Sequence, residues 1–554
     1  MDQRSASPGW NEKILFWASF LTLIAAGIGF SVRGAILKDW GDQFGFTQSE
    51  LGTITGGGLI AFGITIIVGS FLADAVGYGK LMILAFLLHA SSAVVTFAAT
   101  PVFNSMGKEG AFWCLNIGMW LFALGNGACE AVINPLTATL FPKNKTHWLN
   151  ILHAGWPLGL ILGALIVLGV GQYSEIAKVS IRWEYKLGIF LVPVLMYGLM
   201  MLGRRFPESE ASASGVSMST MIFTLLSPVL LFLFLMHAMV GYVELGTDSW
   251  IVNITQRVLS DEKKALYAFI WTNALMFVLR FFAGPIVHKI SPLGLLFFSA
   301  VLGATGLYML GMPFTNEMWM WMAAVTVYGL GKTFYWPTLL GVISERFPKG
   351  GALALGISGG VGMISAGLLG SPGIGYKQDL FAVQKIQELS NPTYERYMSR
   401  TEDGAPDKKG FPIVSTYLPD KLPLVAGLDN GKLKVFDDYT GLADKEKGKT
   451  TLESDLATLN EVKAKGGKVE EKLEKNLTGL KKWWDEQGKP NYAADKAKLD
   501  ESRLYGAKTA LMYTALVPAA LAVGFLLLIL LYAGMGGYRQ EHLVGSSPGM
   551  PPSH

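Results

Sequence analysis

The sequence contains a series of apolar runs, each about as long as a helix needs to cross a bilayer. A hydrocarbon core of roughly 30 Å requires about 20 apolar residues in a helix. Hydrocarbon offers no partner for unpaired backbone groups, so these runs are expected to be helices. We number them span 1 to span 12, at about 13–37, 50–74, 80–100, 111–141, 147–171, 184–203, 222–254, 265–287, 293–313, 316–345, 351–373 and 508–535.

The order of the spans predicts an all-α membrane protein organised as two six-span bundles. The predicted segments are an N-terminal bundle at 1–203, a cytoplasmic linker at 204–221, spans 7–11 at 222–374, a charged insert at 375–507, and span 12 with its tail at 508–554. No small-residue cleavage pattern follows the first apolar run, so it is expected to remain as span 1. A weak Lys and Arg bias predicts that both termini are cytoplasmic. We therefore expect a multi-pass protein of the cytoplasmic (inner or plasma) membrane.

Composition argues against several other classes of protein. Charged residues make up 16% of the chain, whereas a soluble domain carries about a quarter. The net charge of +4 gives no support for a nucleic-acid partner, and Cys114 and Cys129 suggest neither a disulfide framework nor a metal site. Gly331-Lys332-Thr333 lacks the earlier glycine of a nucleotide-binding loop, because position 326 is Thr326. No nucleophile–base set is recognisable, so neither an enzyme nor a cofactor is expected.

The two halves of the chain repeat one another. Span 4 contains Leu124-Gly125 and ends at Phe141-Pro142-Lys143, and span 10 contains Leu330-Gly331 and ends at Phe347-Pro348-Lys349. The separation from Leu to Phe is the same in both spans. Two similar bundles that rock about a central site are what alternating access requires.

At the junction of spans 2 and 3, several residues fit the pattern G-x-x-x-D-R-x-G-R-K. With the six-plus-six arrangement, this resembles the major facilitator superfamily. Asp74, Gly77 and Lys80 match, whereas Ser70 stands at the first glycine and Ala75 replaces the basic residue. The resemblance implies the major facilitator fold. It also implies that Asp74, Gly77 and Lys80 form a conformational junction that stabilises one state of the carrier.

A narrower resemblance is to the fucose and hexose proton-symporter branch of that superfamily. Its motifs are similar to Glu130 followed by Asn134-Pro135 in span 4, to Leu149-Asn150 in span 5, and to the stretch from Glu244 to Trp250 in span 7. The acidic residue of that branch in span 1 falls near Gly34, next to Arg33. This resemblance implies a small-molecule substrate, such as a sugar, carried together with protons.

Charged residues inside the spans are the main candidates for a site. Each would cost about 2.5–3.5 kcal/mol at the centre of a helix, so most must face one another or a water-filled cavity. Pairwise ion bridges without a role in transport would also satisfy them. They are Arg33, Glu130, Glu244, Asp248, Arg280 and Lys332.

Glu130 is the predicted proton-coupling residue. It lies near the middle of span 4, where desolvation disfavours the ionised carboxylate, and a group poised between two states can take up and release a proton. Asn126 and Asn134 are one turn away on either side and share its face. An amide both donates and accepts, so the two asparagines are predicted to bind substrate hydroxyls.

Spans 7, 8 and 10 supply the other predicted substrate residues. Glu244, Asp248 and Trp250 would form a sugar platform, although Trp250 is equally well explained as an interfacial anchor. Lys332 aligns with Asn126 in the repeat and would either neutralise Glu130 or bind an anionic substrate. Arg33, Asn273 and Tyr335 complete the set, and His153 is read as a packing residue or a proton relay.

The insert at 375–507 holds about half of the charged residues. Its proline-containing first part is predicted to be irregular, and residues from about 444 to 503 are predicted to form one amphipathic helix interrupted at Gly466-Gly467. A cap, or a docking module for a protein partner, would fit this composition.

Three classes of function are compatible with these features. The first is proton-coupled symport of a sugar or similar small polar solute. The second is transport of organic anions, peptides or drugs, which is favoured if Arg33 and Lys332 face the cavity. The third is a membrane sensor that does not transport.

Overall fold

The computed structural model describes residues 9–44, 46, 51, 53–54, 58–179, 181–401, 403–411, 414–418, 421–443, 450–464 and 471–543. Nine helical stretches among them are long and apolar enough to cross a membrane, and Gly58–Ala73 is a shorter apolar helix. These ten helical stretches, together with spans 8 and 10, make up the twelve-span arrangement predicted from the sequence. Spans 8 and 10 are not among the ten because they contain charged residues or a break.

Spans 1 to 6 occupy the N-terminal half. The helix Ala99–Leu140 begins well before the predicted start of span 4, because the connection from span 3 is itself helical and breaks only at Gly107, where φ is 74°. The helices are Trp10–Ala35 (span 1), Leu37–Phe44, Gly58–Val76 (span 2), Tyr78–Phe97 (span 3), Ala99–Leu140 (span 4), Lys145–His153 and Gly155–Ala177 (span 5), and Trp183–Gly188 and Leu191–Met201 (span 6).

Spans 7 to 12 form the second half. Two short helices, Glu210–Ala213 and Met218–Leu225, precede it, so span 7 begins at Pro228 rather than at 222. The helices are Pro228–Leu259 (span 7), Glu262–Arg280 with the part of Ala283–Gly311 before a break at Ser291 (span 8), the rest of Ala283–Gly311 (span 9), Met318–Lys332 and Tyr335–Arg346 (span 10), Gly351–Ser365 with the π-turn Ala366–Gly370 (span 11), and Leu516–Gly534 (span 12). Short 3₁₀ turns lie at Pro313–Asn316 and Pro348–Gly350.

Glycines allow several spans to pack with their backbones in close approach. A Cβ on Gly159 of span 5 would lie 2.5 Å from the Ile24 carbonyl oxygen of span 1. A Cβ on Gly241 of span 7 would lie 1.9 Å from the Gly362 carbonyl oxygen of span 11. Small residues are the usual means by which membrane helices pack in this way, which explains the glycine content of these spans.

The two halves pack against each other along spans 2 and 11, where a Cβ on Gly63 would lie 2.7 Å from the Gly360 carbonyl oxygen. They also exchange hydrogen bonds at one end, which we call the inner end, where span 4 ends and span 5 begins. Span 5 meets span 10 there, and the last part of span 8 meets the start of span 5 through Gly284. Hydrogen bonds that cross between the halves are Thr146 Oγ1 to Glu345 (2.6 Å), Asn150 Nδ2 to Thr338 Oγ1 (3.0 Å), Lys145 Nζ to the Ser344 carbonyl (3.2 Å) and Gly284 N–H to His147 Nδ1 (3.1 Å).

The C-terminal tail lies across the same end. The Tyr538 hydroxyl donates to Glu345 at 2.7 Å, and Gln540 Nε2 donates to the Pro142 carbonyl at the end of span 4, at 2.6 Å. Burial and the neighbouring Glu345 carboxylate raise the pKa of Tyr538 well above its ordinary value, which keeps the phenol protonated as a donor. Residues 538–540 therefore contact both halves.

Residues 372–513 form a second compact unit with a core of its own. Its buried side chains include Ile386, Tyr397, Phe436, Trp483 and Leu499. The strands β1 (Lys408–Lys409) and β2 (Val425–Ala426) pair antiparallel, with Lys408 opposite Ala426. The helices are Ser371–Tyr397, Val414–Tyr417, Asn430–Ala443, Thr451–Ala464, Glu471–Trp483 with the π-turn Trp484–Gly488, and Lys489–Thr514.

One expectation about this unit is wrong in part. The first part begins as a helix, because Ser371–Tyr397 runs into it and accommodates Pro392 at a break beside Ser390, whereas the described residues from there to Asn430 hold only two short strands and one helical turn. In the second part, the described residues form the helix Thr451–Ala464 and then a continuous helical stretch that runs from Glu471–Trp483 through the π-turn Trp484–Gly488 into Lys489–Thr514, and apolar side chains of both are buried in the shared core. Gly466-Gly467 lies outside the described residues.

Candidate functional site

Two prolines open backbone acceptors inside the bundle. Proline lacks an N–H, so the carbonyl four residues before it loses its helical partner. Pro157 stands four residues after His153, where span 5 breaks, and Pro337 stands four residues after Thr333, where span 10 breaks. The carbonyls of His153 and Thr333 are therefore available to a side chain from another span.

Arg280, the last residue of the helix Glu262–Arg280 in span 8, binds both of these carbonyls. Its Nη1 donates to the His153 carbonyl at 2.5 Å, and its Nε donates to the Thr333 carbonyl at 2.8 Å. Its Nη2 lies 3.4 Å from Glu244 Oε1 of span 7. The side chain is buried. The planar guanidinium has several N–H donors that point in different directions, so it can bind acceptors on different spans at once. Arg280 thereby links four spans from both halves.

Glu130 reaches the same centre through two side chains. The Asn134 amide donates to Glu130 Oε2 at 2.6 Å, and Asn134 Oδ1 lies 2.8 Å from His153 Nε2. Glu130 is buried, and among the described residues it forms no ion pair. We call Glu130, Asn134, His153, Arg280 and Glu244 the polar relay. It consists of two hydrogen-bonded sets, Glu130 and Asn134 with the His153 ring, and Arg280 with the His153 carbonyl and Glu244, which are connected only through the covalent structure of His153.

Lys332 belongs to a neighbouring ion pair and not to Glu130. Its Nζ lies 2.5 Å from Asp248 Oδ1, one turn beyond Glu244 on span 7. The expectation that Lys332 neutralises Glu130 is therefore not met in this conformation. A cavity of about 10 Å³ lies beside the pair, lined by Tyr328 and Phe269 among others. That volume is close to the minimum for one water molecule.

Asn126 and Arg33 lie in a separate cluster within the N-terminal half. Asn126 Oδ1 is 3.0 Å from His89 Nε2, and His89 Nδ1 is 2.9 Å from the Tyr197 hydroxyl. Arg33 is buried, donates to Ser92 at 2.9 Å, and has its guanidinium carbon 3.9 Å from the centroid of the Phe122 ring. Asn126 thus contacts span 3 instead of extending the relay.

The remaining predicted substrate residues contact their own half. The Trp250 indole donates to the Ser371 carbonyl at 2.8 Å, Asn273 Nδ2 to the Phe269 carbonyl at 2.8 Å, and the Tyr335 hydroxyl to the Ser299 carbonyl at 3.1 Å. Tyr335 is therefore directed toward span 9, and Trp250 toward the end of span 11.

The predicted conformational junction lies between spans 2 and 3. Gly77 adopts a positive φ of 88°, which explains why glycine stands at that turn, and Lys80 is exposed. The side chain of Asp74 lies outside the described residues, so its predicted pairing with Lys80 stays a prediction.

Two features of the sequence, the position of a proline four residues after a site residue and a lone histidine in an apolar span, could have identified further members of the site. The spacing of Pro157 after His153, and of Pro337 after Thr333, marks open carbonyls, and Arg280 is the buried donor that meets them. His89 is an isolated histidine in an apolar span. The contact between Thr146 and Glu345 depends on how the two halves meet, which one segment alone cannot reveal.

The fold and the buried polar site define a polytopic membrane transporter. The family model of the Major Facilitator Superfamily matches residues 19–371, more than half of the chain, and the chain belongs to that family. Its members are transporters that bind small-molecule substrates within the membrane. The match ends next to the second compact unit, which begins at residue 372.

Solved structures of low sequence identity share the fold. FucP, the E. coli fucose:proton symporter, in its outward conformation is 17% identical, with a TM-score of 0.54 over 67% of this chain and 93% of that chain. The proton:xylose symporter XylE is 14% identical, with a TM-score of 0.52 over 64% and 86%. An inward-facing bacterial homolog of the lysosomal transporter Spinster is 14% identical, with a TM-score of 0.54 over 94% and 97%. No curated protein matches the chain.

Proposed function

We propose that this chain is a secondary active transporter that carries a sugar or similar small polar solute together with protons, by alternating access. The observation that carries the proposal is the polar relay. It connects a buried carboxylate, Glu130, to the opposite half through the Asn134 amide, the His153 ring and the His153 backbone, whose carbonyl accepts from Arg280. A proton bound at one end of such a chain can influence how the halves meet at the other.

Glu130 is the proposed proton-coupling residue because its environment suits both protonation states. The Asn134 amide donates to the ionised carboxylate, whereas burial favours the neutral acid. Ionisable residues within membrane spans commonly mark proton pathways. The Asn134 amide and the His153 ring are proposed to adjust to the proton by exchanging hydrogen-bond roles, because each can both donate and accept.

Glu244 and Asp248 are the proposed substrate acceptors. Glu244 Oε2 is buried and has no hydrogen-bond partner among the described groups. A buried acceptor of this kind is costly unless a ligand or water satisfies it, and solute hydroxyls would do so. Asn134 contributes a second polar group at the relay. Asn126, Trp250, Asn273, Tyr335 and Arg33, held in their own half, would join only in another conformation of the carrier.

The two cations that could bind an anionic substrate, Lys332 and Arg33, already have other partners in this structure. Lys332 pairs with Asp248, and Arg33 lies against Phe122 and donates to Ser92. A neutral, hydroxyl-bearing solute therefore fits the site better than an organic anion does.

Uptake into proteoliposomes tests the proposal. A panel of labelled neutral sugars is expected to accumulate when the outside is made acidic, and Glu130→Gln is expected to lose accumulation while retaining exchange. Glu317→Gln, at an exposed position, is the matched control and should behave as the wild type does. Uptake of organic anions but not of sugars would show that the substrate class is wrong. Full accumulation by Glu130→Gln would remove its coupling role.

We also propose that both termini are cytoplasmic, in the inner or plasma membrane, and that residues 375–507 lie outside the cytoplasm as a cap or docking module for a protein partner. Labelling of single cysteines by an impermeant maleimide tests this topology. Reaction in intact cells is expected at Ser454→Cys within the insert and not at Lys349→Cys between spans 10 and 11. The opposite pattern would invert the orientation.

A further inference from the structure

We propose that Arg280 is a positioning residue that clamps the two halves together at the inner end, and that Glu244 controls this clamp. The inference rests on the proposed function only in taking Glu244 as part of the substrate site. Its geometric part, a cation divided between the halves, stands on contacts within the transporter unit alone.

The clamp is built from acceptors in both halves. The His153 carbonyl belongs to span 5 and the Thr333 carbonyl to span 10, and each is freed by a proline four residues later. Arg280 donates to both, at 2.5 Å and 2.8 Å. If the halves parted at the inner end, the bond to His153 would break, because the two residues lie in different halves. Conversely, that bond stabilises the closed arrangement.

Glu244 supplies the nearby negative charge that makes burial of the guanidinium tolerable. Its Oε1 is 3.4 Å from Arg280 Nη2, and both side chains are buried. A buried cation that loses its counter-charge is strongly disfavoured. A proton on Glu244 would remove the counter-charge of Arg280, and solute hydroxyls that donate to Glu244 would weaken it. Either change would therefore destabilise the closed inner end, because water can solvate the guanidinium when the inner end is open.

Other charged and titratable groups surround the clamp. Span 4 brings Glu130 through Asn134, span 5 the His153 ring, span 7 His237 and Asp248, and span 10 Lys332. Lys332 is held by Asp248 within one half. That pair lies near the clamp but does not cross between the halves.

The test measures the opening of the inner end directly. Spin labels are placed at Lys143→Cys and Lys349→Cys, exposed positions at the ends of spans 4 and 10, after replacement of Cys114 and Cys129. The distance distribution is recorded by pulsed electron resonance in nanodiscs, without solute or a proton gradient. Glu244→Gln is expected to raise the open population at least about tenfold, and Arg280→Gln is expected to raise it similarly. Glu317→Gln, which removes an exposed charge outside the clamp, should leave the distribution near that of the wild type.

The double variant decides whether Glu244 acts through Arg280. If it does, Arg280→Gln with Glu244→Gln opens the inner end no more than Arg280→Gln alone. Additive opening, or an unchanged distribution in Glu244→Gln, would overturn the proposal. Should Arg280→Gln fail to fold, Arg280→Lys replaces it in the same cycle, because lysine keeps the charge but lacks the fork that reaches both carbonyls. The spin-label distances do not depend on transport. If the uptake experiment shows no sugar transport, the distances therefore still test the clamp.

Discussion

Glu345→Gln should weaken the closed inner end by about 2 kcal/mol. Glu345 is buried, and its carboxylate accepts from the Thr146 hydroxyl at 2.6 Å, the Thr146 N–H at 3.2 Å and the Tyr538 hydroxyl at 2.7 Å. Hydrogen bonds to a charged group contribute about 1.5–3 kcal/mol each, against about 0.5–1.5 kcal/mol for neutral ones. The glutamine amide retains only one accepting oxygen. It can therefore accept from either Thr146 or Tyr538 but not from both, and the hydrogen bond that remains is weaker because the side chain is no longer charged.

The loss of the Thr146 contacts falls on the closed conformation, because Thr146 and Glu345 lie in different halves and water replaces Thr146 when the inner end opens. About 2 kcal/mol corresponds to a roughly 30-fold shift toward the open conformation. The assay uses the same spin labels at Lys143→Cys and Lys349→Cys, with Glu317→Gln as the control for loss of an exposed charge. A shift of less than about threefold would show that Thr146 and Glu345 do not stabilise the closed inner end.

Three further substitutions test particular contacts. Tyr538→Phe removes the donor of the tail to Glu345. Because both residues lie in the C-terminal half and, among residues 538–540, only the Gln540 contact to Pro142 crosses between the halves, the open population of the inner end is expected to rise by roughly tenfold or less, which corresponds to at most about 1.4 kcal/mol. Gly241→Ala forces a methyl group onto a backbone carbonyl of span 11, and it should lower the thermal midpoint with a loss of about 1–3 kcal/mol. Arg396→Gln leaves the fully buried Asp495 without its cation, so unit 372–513 should lose on the order of 3 kcal/mol, measured by its susceptibility to proteolysis.

The spans and their grouping were predictable because hydrophobic length and backbone satisfaction leave few choices in a bilayer. The repeat of Leu124-Gly125 in Leu330-Gly331 indicated two similar halves without any contact information. Span boundaries were less predictable, because helices continue past the hydrocarbon, as Ala99–Leu140 does. The helices of the insert were missed where proline was taken as a sign of irregular chain, although Pro392 stands at a break within a helix.

The buried charges were identifiable from the sequence, but their partners were not. Glu244 and Asp248 share one face of span 7, yet nothing in their spacing assigns Arg280 to the first and Lys332 to the second. The pairing of Lys332 with Glu130 that the repeat suggested is absent from this conformation. His153 was visible as a candidate, whereas its carbonyl, freed by Pro157, is the atom that Arg280 binds.

The most direct test of the central claim is proton movement driven by the solute itself. Proteoliposomes loaded with a pH-sensitive dye, with no imposed gradient, are exposed to an inward gradient of the sugar that the uptake panel identifies. The account predicts acidification of the lumen by the wild type and by Glu317→Gln, and none by Glu130→Gln. Sugar entry without acidification in the wild type, or acidification that persists in Glu130→Gln, would contradict it.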